Sequence, residues 1–259
     1  MYLNPESTFS LMGFLDDVKR LTELRVRLMN EAVNRAPSLI KAIEGRNSEG
    51  YVGLIAEYKR VSPSGVIRLD LDAYGYFSQV SPYATGFSVL TEPFFFTGHP
   101  LFIRIASMFN KPILYKDFVI HESQVEEAYS NGASAILIIY RLLNGNIGWL
   151  VDAARRRGLE PLIEVDNVKD AADAAKDYPE LMIGVNSRDL GDLSISLERS
   201  IDIIRAIRGK GVLVIAESGV RGRSDAEVLA KEGVNAILVG TALMRNPTLA
   251  KELHEVRVG

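Results

Sequence analysis

Leu54-Ile55-Ala56-Glu57-Tyr58-Lys59-Arg60-Val61-Ser62-Pro63-Ser64-Gly65 opens as an apolar run and ends as a turn. Leu54-Ile55-Ala56 is too short for a helix and suits a buried strand. At strand period two, Glu57 and Lys59 then fall on one face. A carboxylate and an ammonium are costly to bury unless they pair or do chemistry. Ser62-Pro63-Ser64-Gly65 follows as a turn-forming loop. Strand, charged end and loop is the layout of a catalytic strand in a parallel α/β barrel. A structural ion pair at the strand end is the other reading, and both stay open on this stretch alone.

Downstream, a rhythm appears. Short apolar runs occur at Gly53–Ala56, Gly86–Leu90, Pro112–Tyr115, Ala135–Ile139, Pro161–Val165, Leu181–Val185, Val212–Ala216 and Ala236–Val239. Their starts recur at roughly 20 to 33 residues, the length of a strand-plus-helix unit. Helical patterns lie between them. Glu122–Ser130 stops at Asn131-Gly132, Ile147–Arg157 stops at Gly158, and Ser224-Asp225-Ala226-Glu227 has the form of a capping box for a helix ending near Gly233. Eight strands alternating with helices predict a (β/α)8 TIM barrel, an α/β fold. The competing open, doubly wound sheet lacks a Gly-x-Gly-x-x-Gly after the first strand.

Upstream, Asn4-Pro5-Glu6-Ser7 can open a helix whose apolar stripe is Leu11, Phe14, Leu15, Val18 and Leu21. A second helical piece covers Leu24–Val33, and Pro37-Ser38 starts a third through Ile43. Residues 1–50 are thus expected as a helical extension packed across one end of a barrel formed by 51–259, the whole being one domain. Some 50 residues with so few apolar groups would be marginal alone.

Composition narrows the function. Of 259 residues, 47% are apolar and 24% charged, ordinary for a globular chain with a sizeable core. Net charge is -3 without a long basic run, which disfavours nucleic acid and anionic membranes but leaves room for a local basic pocket. No cysteine is present, so disulfides, thiolate metal sites and a Cys nucleophile are excluded. No apolar run has membrane-spanning length and no signal-peptide pattern opens the chain; a cytoplasmic protein is expected. His99 and His121 lack metal-ligand company, so no metal is expected.

In such a barrel the site lies at the carboxyl ends of the strands. Those ends carry Glu57 and Lys59, Lys116, Glu164, Asn186 with Arg188, Glu217-Ser218-Gly219, and Gly240-Thr241. Each has a plain alternative: Lys116-Asp117 as a solvated pair, Glu164 as a helix cap, Asn186 as a turn residue. Together they would converge on one barrel mouth. Ser218-Gly219 and Gly240-Thr241 each join a hydroxyl to a glycine before a helical segment, a combination suited to phosphate, with Lys59 and Ser62 closing from the first loop. Simple turn chemistry is the alternative. Phe94-Phe95-Phe96 is either core or one wall of an aromatic pocket, Arg155-Arg156-Arg157 reads as a solvated helix end, and Tyr140-Arg141, closing strand four, has no assigned role.

Ile55-Ala56-Glu57-Tyr58-Lys59-Arg60 with Ser62-Pro63-Ser64 resembles the signature of the indole-3-glycerol-phosphate synthases. So do Pro112–Phe118, Pro161–Val165, Ile183–Leu190, Ala216–Val220 and Gly240–Met244, in order, from about Leu54 to Pro247. The resemblance implies a cofactor-free lyase of tryptophan biosynthesis. It closes the pyrrole ring of an anthranilate-derived ribulose phosphate with loss of carbon dioxide and water. It implies Lys116 as general acid, Glu164 in the dehydration, Glu57 and Asn186 positioning and polarising, and Lys59 on the anionic side of the substrate. Ser62, Arg188, Glu217, Ser218, Gly219, Gly240 and Thr241 would bind substrate, and Phe96, Phe118, Leu190 and Leu238 would line the aromatic pocket. A phosphorylated small molecule is the expected partner, with no nucleic acid or membrane, and a monomer is the expected assembly. Departures are modest: Ser64 meets Gly65 where many members insert a Lys, Tyr115 precedes Lys116 where Arg is common, and Thr241 replaces a frequent Ser. The alternatives are another phosphosugar isomerase or aldolase barrel, and a non-catalytic or engineered barrel that kept the phosphate site.

Overall fold

Eight short strands, buried almost throughout, form the centre of the computed structural model, which describes residues 14–30, 35–189, 191 and 194–259. They are β1 (Gly53–Tyr58), β2 (Gly86–Leu90), β3 (Ile113–Lys116), β4 (Ala135–Ile139), β5 (Glu160–Val165), β6 (Met182–Asn186), β7 (Leu213–Glu217) and β8 (Ala236–Val239). All neighbours pair in parallel, and β1 pairs with both β2 and β8, so the sheet closes. Parallel neighbours need a crossover, which the intervening helices supply: α3 (Ala73–Val80), α4 (Leu101–Ser107), α5 (Glu122–Ser130), α6 (Gly148–Arg156), α7 (Val168–Asp177), α8 (Leu197–Ile207) and α9 (Arg223–Lys231). The result is the expected (β/α)8 barrel.

Each predicted strand exists: Gly86–Leu90, Ala135–Ile139 and Ala236–Val239 keep their predicted bounds, and the other five have ends moved by a residue or two. β1 continues past Ala56 because its ladder with β2 holds through Glu57↔Ser88 and Tyr58↔Val89. Hydropathy marked the apolar centre; pairing set the end. Helix α5 (Glu122–Ser130) lies where predicted, capped by the ring of His121, and α6 (Gly148–Arg156) starts one residue late. Ser62-Pro63-Ser64-Gly65 forms a tight antiparallel hairpin, Val61–Ser62 against Gly65–Val66.

The capping box does not form. Helix α9 (Arg223–Lys231) begins before Ser224, with Gly222 at its cap position and no side-chain cap bond. Asp225 instead accepts the Arg221 N–H at 2.9 Å, and Glu227 pairs with Arg223 at 2.7 Å. The nearby guanidinium groups claim the carboxylates that a capping box would use.

The extension behaves in two ways. Helix α2 (Leu39–Ser48), capped by Ser38, plugs the amino-terminal end of the barrel as expected. Its Leu39 and Ile43 are fully buried with the barrel-interior residues Ile55, Leu114, Leu162, Met182 and Ile215. Helix α1 (Phe14–Asn30) is continuous across the two pieces expected. Its predicted stripe is not core: Leu15, Val18 and Leu21 are exposed, while Leu28 is buried and Leu24 packs beside it. Leu11, Asn4-Pro5-Glu6-Ser7 and part of the Leu24–Val33 piece lie outside the described residues. A polar contact adds to this packing, Arg104 donating to the Leu28 carbonyl at 2.6 Å. Among the described residues no helix is long and apolar enough to cross a membrane.

Candidate active site

The carboxyl ends of the strands open into a cleft of about 1230 Å³. Every described residue proposed from the strand ends and their loops faces it: Glu57, Lys59, Ser62, Phe96, Lys116, Phe118, Glu164, Asn186, Arg188, Glu217, Ser218, Gly219, Leu238, Gly240 and Thr241. Leu190 lies outside the described residues.

At the cleft floor, Lys116 sits among carboxylates. Its Nζ lies 2.5 Å from Glu217 Oε2 and 3.1 Å from Glu164 Oε2. The Glu164 and Glu217 side chains are 3% and 1% exposed, so neither carboxylate is rescued by water. Asn186 donates from Nδ2 to Glu164 Oε1 at 3.0 Å and accepts the Arg188 N–H at Oδ1. That fixes the amide orientation. Across the floor, Lys59 Nζ pairs with Glu57 Oε1 at 2.6 Å. The ion pair read from the first strand therefore exists, and it lies in the cleft. The plain alternative for Glu164 fails, since Asn167 caps the following helix α7 (Val168–Asp177).

Charge within this group is uneven. Burial favours neutral Lys116, but Glu217, Glu164 and Glu57 together raise its pKa, so it stays an ammonium. Burial would also raise the pKa of Glu57, yet Lys59 and Lys116 hold it below the usual range. Glu217 goes the other way. Burial and the neighbouring Glu164 and Glu57 outweigh Lys116 and push it up to about 8. Among the described residues, its Oε1 is buried without a hydrogen-bond partner. Glu217 fits because the adjacent strand β6 carries Gly184: a Cβ there would meet Glu217 Oε1 at 2.0 Å.

The two hydroxyl–glycine loops differ from ordinary turns. Ser218 and Gly219 are both left-handed, with φ of 65° and 77°. For serine this is a strained conformation, of the kind found at ligand clamps. Gly240 borders the Glu57–Lys59 pair, and a Cβ there would lie 2.3 Å from Glu57 Oε1. Thr241 follows at the start of α10 (Thr241–Arg245).

The aromatic run divides. Phe94 and Phe95 are exposed, and only Phe96 turns toward the cleft, its ring centroid 6.2 Å from that of Phe118. Arg155, Arg156 and Arg157 form exposed pairs with Glu180, Glu122 and Glu126, a solvated face as expected.

Sequence reasoning left several cleft residues without a role, Arg141, Glu92 and Asp117 among them. Arg141 reaches Asp166 at 2.8 Å and Asp189 at 3.5 Å, joining the ends of β4, β5 and β6. Glu92 and Asp117 stand beside the two phenylalanines. Arg141 carried the strand-end signal; its partners come from other strands, so nothing local marked them.

Barrel, buried lysine–carboxylate group and left-handed hydroxyl–glycine loop define a class: an acid–base enzyme on a (β/α)8 scaffold, with chemistry at the strand carboxyl ends. The sequence matches the indole-3-glycerol phosphate synthase family over residues 15–256. Among curated relatives, indole-3-glycerol phosphate synthase of Pyrobaculum aerophilum is 48% identical over 246 residues, covering 95% of this chain and 97% of its own. The Sulfurisphaera tokodaii enzyme of the same name is 36% identical, covering 94% and 98%. Similar solved structures include tryptophan synthase from M. tuberculosis (TM-score 0.66, 12% identity, 87% of this chain and 100% of that one). Another is 3-hexulose-6-phosphate synthase from Salmonella typhimurium (TM-score 0.60, 15% identity, 79% and 98%). At such identities these two share the fold alone. The chain belongs to the indole-3-glycerol phosphate synthase family and carries its activity, that of a carboxy-lyase in tryptophan biosynthesis.

Proposed function

We propose that the cleft takes 1-(2-carboxyphenylamino)-1-deoxyribulose 5-phosphate and converts it to indole-3-glycerol phosphate with Lys116 as the general acid. The observation that carries this reading is the Lys116 ammonium, fixed between Glu164 and Glu217 at the cleft floor. Ring closure begins when the ring carbon bearing the carboxylate attacks the ketone carbon. Charge then develops on the ketone oxygen, and a fixed ammonium both stabilises and protonates it. Carbon dioxide leaves from the attacking ring carbon, which restores the aromatic ring. Water leaves next, and Glu164 moves the proton that this dehydration requires. Asn186 keeps Glu164 aimed, and Glu217 keeps Lys116 aimed. Lys59, tied to Glu57, meets the anionic part of the substrate. The phosphate is held by the N–H and hydroxyl groups of Ser218-Gly219 and Gly240-Thr241, with Arg188 and Ser62 adding to the anion site. Phe96, Phe118 and Leu238 enclose the anthranilate ring.

The test is the rise of indole fluorescence when the protein meets this substrate, beside Lys116→Ala. Turnover lost in the variant, with phosphate-competitive binding retained, supports the assignment. Turnover surviving in Lys116→Ala moves the acid elsewhere, with Lys59 the next candidate.

A further inference from the structure

The two rings facing each other across the cleft wall, Phe96 and Phe118, sit on different loops, and neither loop has regular structure to hold it. Each is fixed by a carboxylate. Glu92, immediately beyond β2 and 6% exposed, accepts three successive backbone N–H groups: Phe94 at Oε1 (2.8 Å), Phe95 at Oε2 (2.7 Å) and Phe96 at Oε2 (3.1 Å). Its own carbonyl accepts the Gly98 N–H at 2.8 Å, so the loop is closed on itself from both ends of this residue. Among the described residues no cation pairs with Glu92, so its charge is balanced by the loop's own N–H groups. On the facing loop, Asp117 Oδ1 accepts the Phe118 N–H at 2.7 Å. Thr91, the neighbour of Glu92, donates its hydroxyl to Asp117 Oδ2 at 2.6 Å and ties the two loops together.

We propose that Glu92 is a positioning residue for substrate. With Thr91 and Asp117, it sets the spacing of the Phe96–Phe118 wall and so the affinity for the aromatic end of the substrate. This rests on the reading above that these rings enclose the anthranilate ring. A carboxylate is needed because two oxygens must accept three N–H bonds. An amide offers one acceptor oxygen and turns an NH₂ toward the remaining N–H groups. The loop would then open and Phe96 would leave the wall. The wall grips the face of the ring rather than the carbon that attacks, so in this proposal the loss weakens binding before and during ring closure together and falls on KM.

The experiment compares Glu92→Gln, Thr91→Val and Phe118→Ala with the unmodified enzyme. Steady-state indole fluorescence gives kcat and KM, and inorganic phosphate as a competitive inhibitor reports the anion site alone. For Glu92→Gln the expected result is a KM raised about tenfold, kcat within about twofold, and phosphate inhibition unchanged. Thr91→Val, which keeps side-chain volume, is expected to shift KM the same way by less, and it serves if Glu92→Gln does not fold. An unchanged KM in Glu92→Gln, or in Thr91→Val where that variant stands in for it, overturns the proposal. So does a fall in kcat and phosphate affinity along with KM, which would mark a general collapse of the mouth. Phe118→Ala separates the two levels. A raised KM there, with Glu92→Gln silent, overturns the proposal and leaves the ring pocket standing. An unchanged KM in Phe118→Ala overturns both.

Discussion

Lys116 is surrounded by more negative than positive charge, and that imbalance governs its chemistry. Three carboxylates raise its pKa, so it remains protonated throughout the neutral and mildly alkaline range. Replacing it with alanine is expected to lower kcat by about 10²- to 10⁴-fold, read by indole fluorescence. Glu217 sets the pH limit. A carboxyl pushed up to about 8 is neutral at pH 7 and gains charge above 8. That new charge faces an anionic substrate, so kcat/KM is expected to fall as pH rises through about 8. Glu217→Gln, which stays neutral, should abolish this alkaline limb while lowering kcat through a looser Lys116. The stability sign follows from the same shift. A raised pKa means that the folded state binds this proton more tightly than the unfolded state. The contribution is therefore complete below 4.5 and lost as pH rises through about 8. Glu57 has the opposite sign: its lowered pKa stabilises above 4.5, and that contribution is lost as pH falls. Urea midpoints at pH 6 and pH 9 should differ more in the unmodified protein than in Glu217→Gln.

Individual elements are shaped by what lies against them. β6 carries Gly184 in its middle, a poor choice for strand propensity. The reason is on the adjacent strand β7, where Glu217 Oε1 occupies the space of a Cβ. Gly184→Ala is expected to displace Glu217, to cost about 1–3 kcal/mol in denaturant unfolding, and to lower kcat through Lys116. At α2, Ser38 accepts the Lys41 N–H at 3.1 Å and also bonds Glu160, whose Oε2 accepts the Leu39 N–H at 2.7 Å. This cap holds the plug of the barrel. Ser38→Ala should cost about 1 kcal/mol in the same measurement, with kcat unchanged because the plug lies at the end opposite the cleft.

The whole molecule is a ring of parallel strands stoppered at one end and reactive at the other. Its stoppered end is locked by a polar clasp of residues distant in sequence. Asn235 accepts the Val214 N–H at 2.8 Å and donates to Asn47 Oδ1 at 2.9 Å; Asn47 donates in turn to the Asn235 carbonyl at 2.8 Å. The clasp joins α2, β7 and β8. Asn235→Ala leaves several of these groups without partners and is expected to cost about 2–4 kcal/mol of global stability, seen as a lower unfolding midpoint. The active site, at the far end, should keep its KM.

Sequence by itself determined the eight strands, because a strand buried on both faces must be apolar for four to six residues whatever surrounds it. It also marked the strand-end groups from Glu57 to Thr241, since period-two spacing and barrel closure leave those positions one place to point. Local pattern failed where partners came from afar. The stripe of Leu15, Val18 and Leu21 looked like a core face, but among the described residues it is exposed. The capping box at Ser224 had the right letters, and Arg221 and Arg223 took its carboxylates. Arg141 closed strand four with no assigned role and Asp117 read as half of a solvated pair, until the strands brought Asp166 and Thr91 beside them. Tertiary structure alone decided the charge state of Glu217, because a buried carboxyl takes its pKa from neighbours supplied by three other strands.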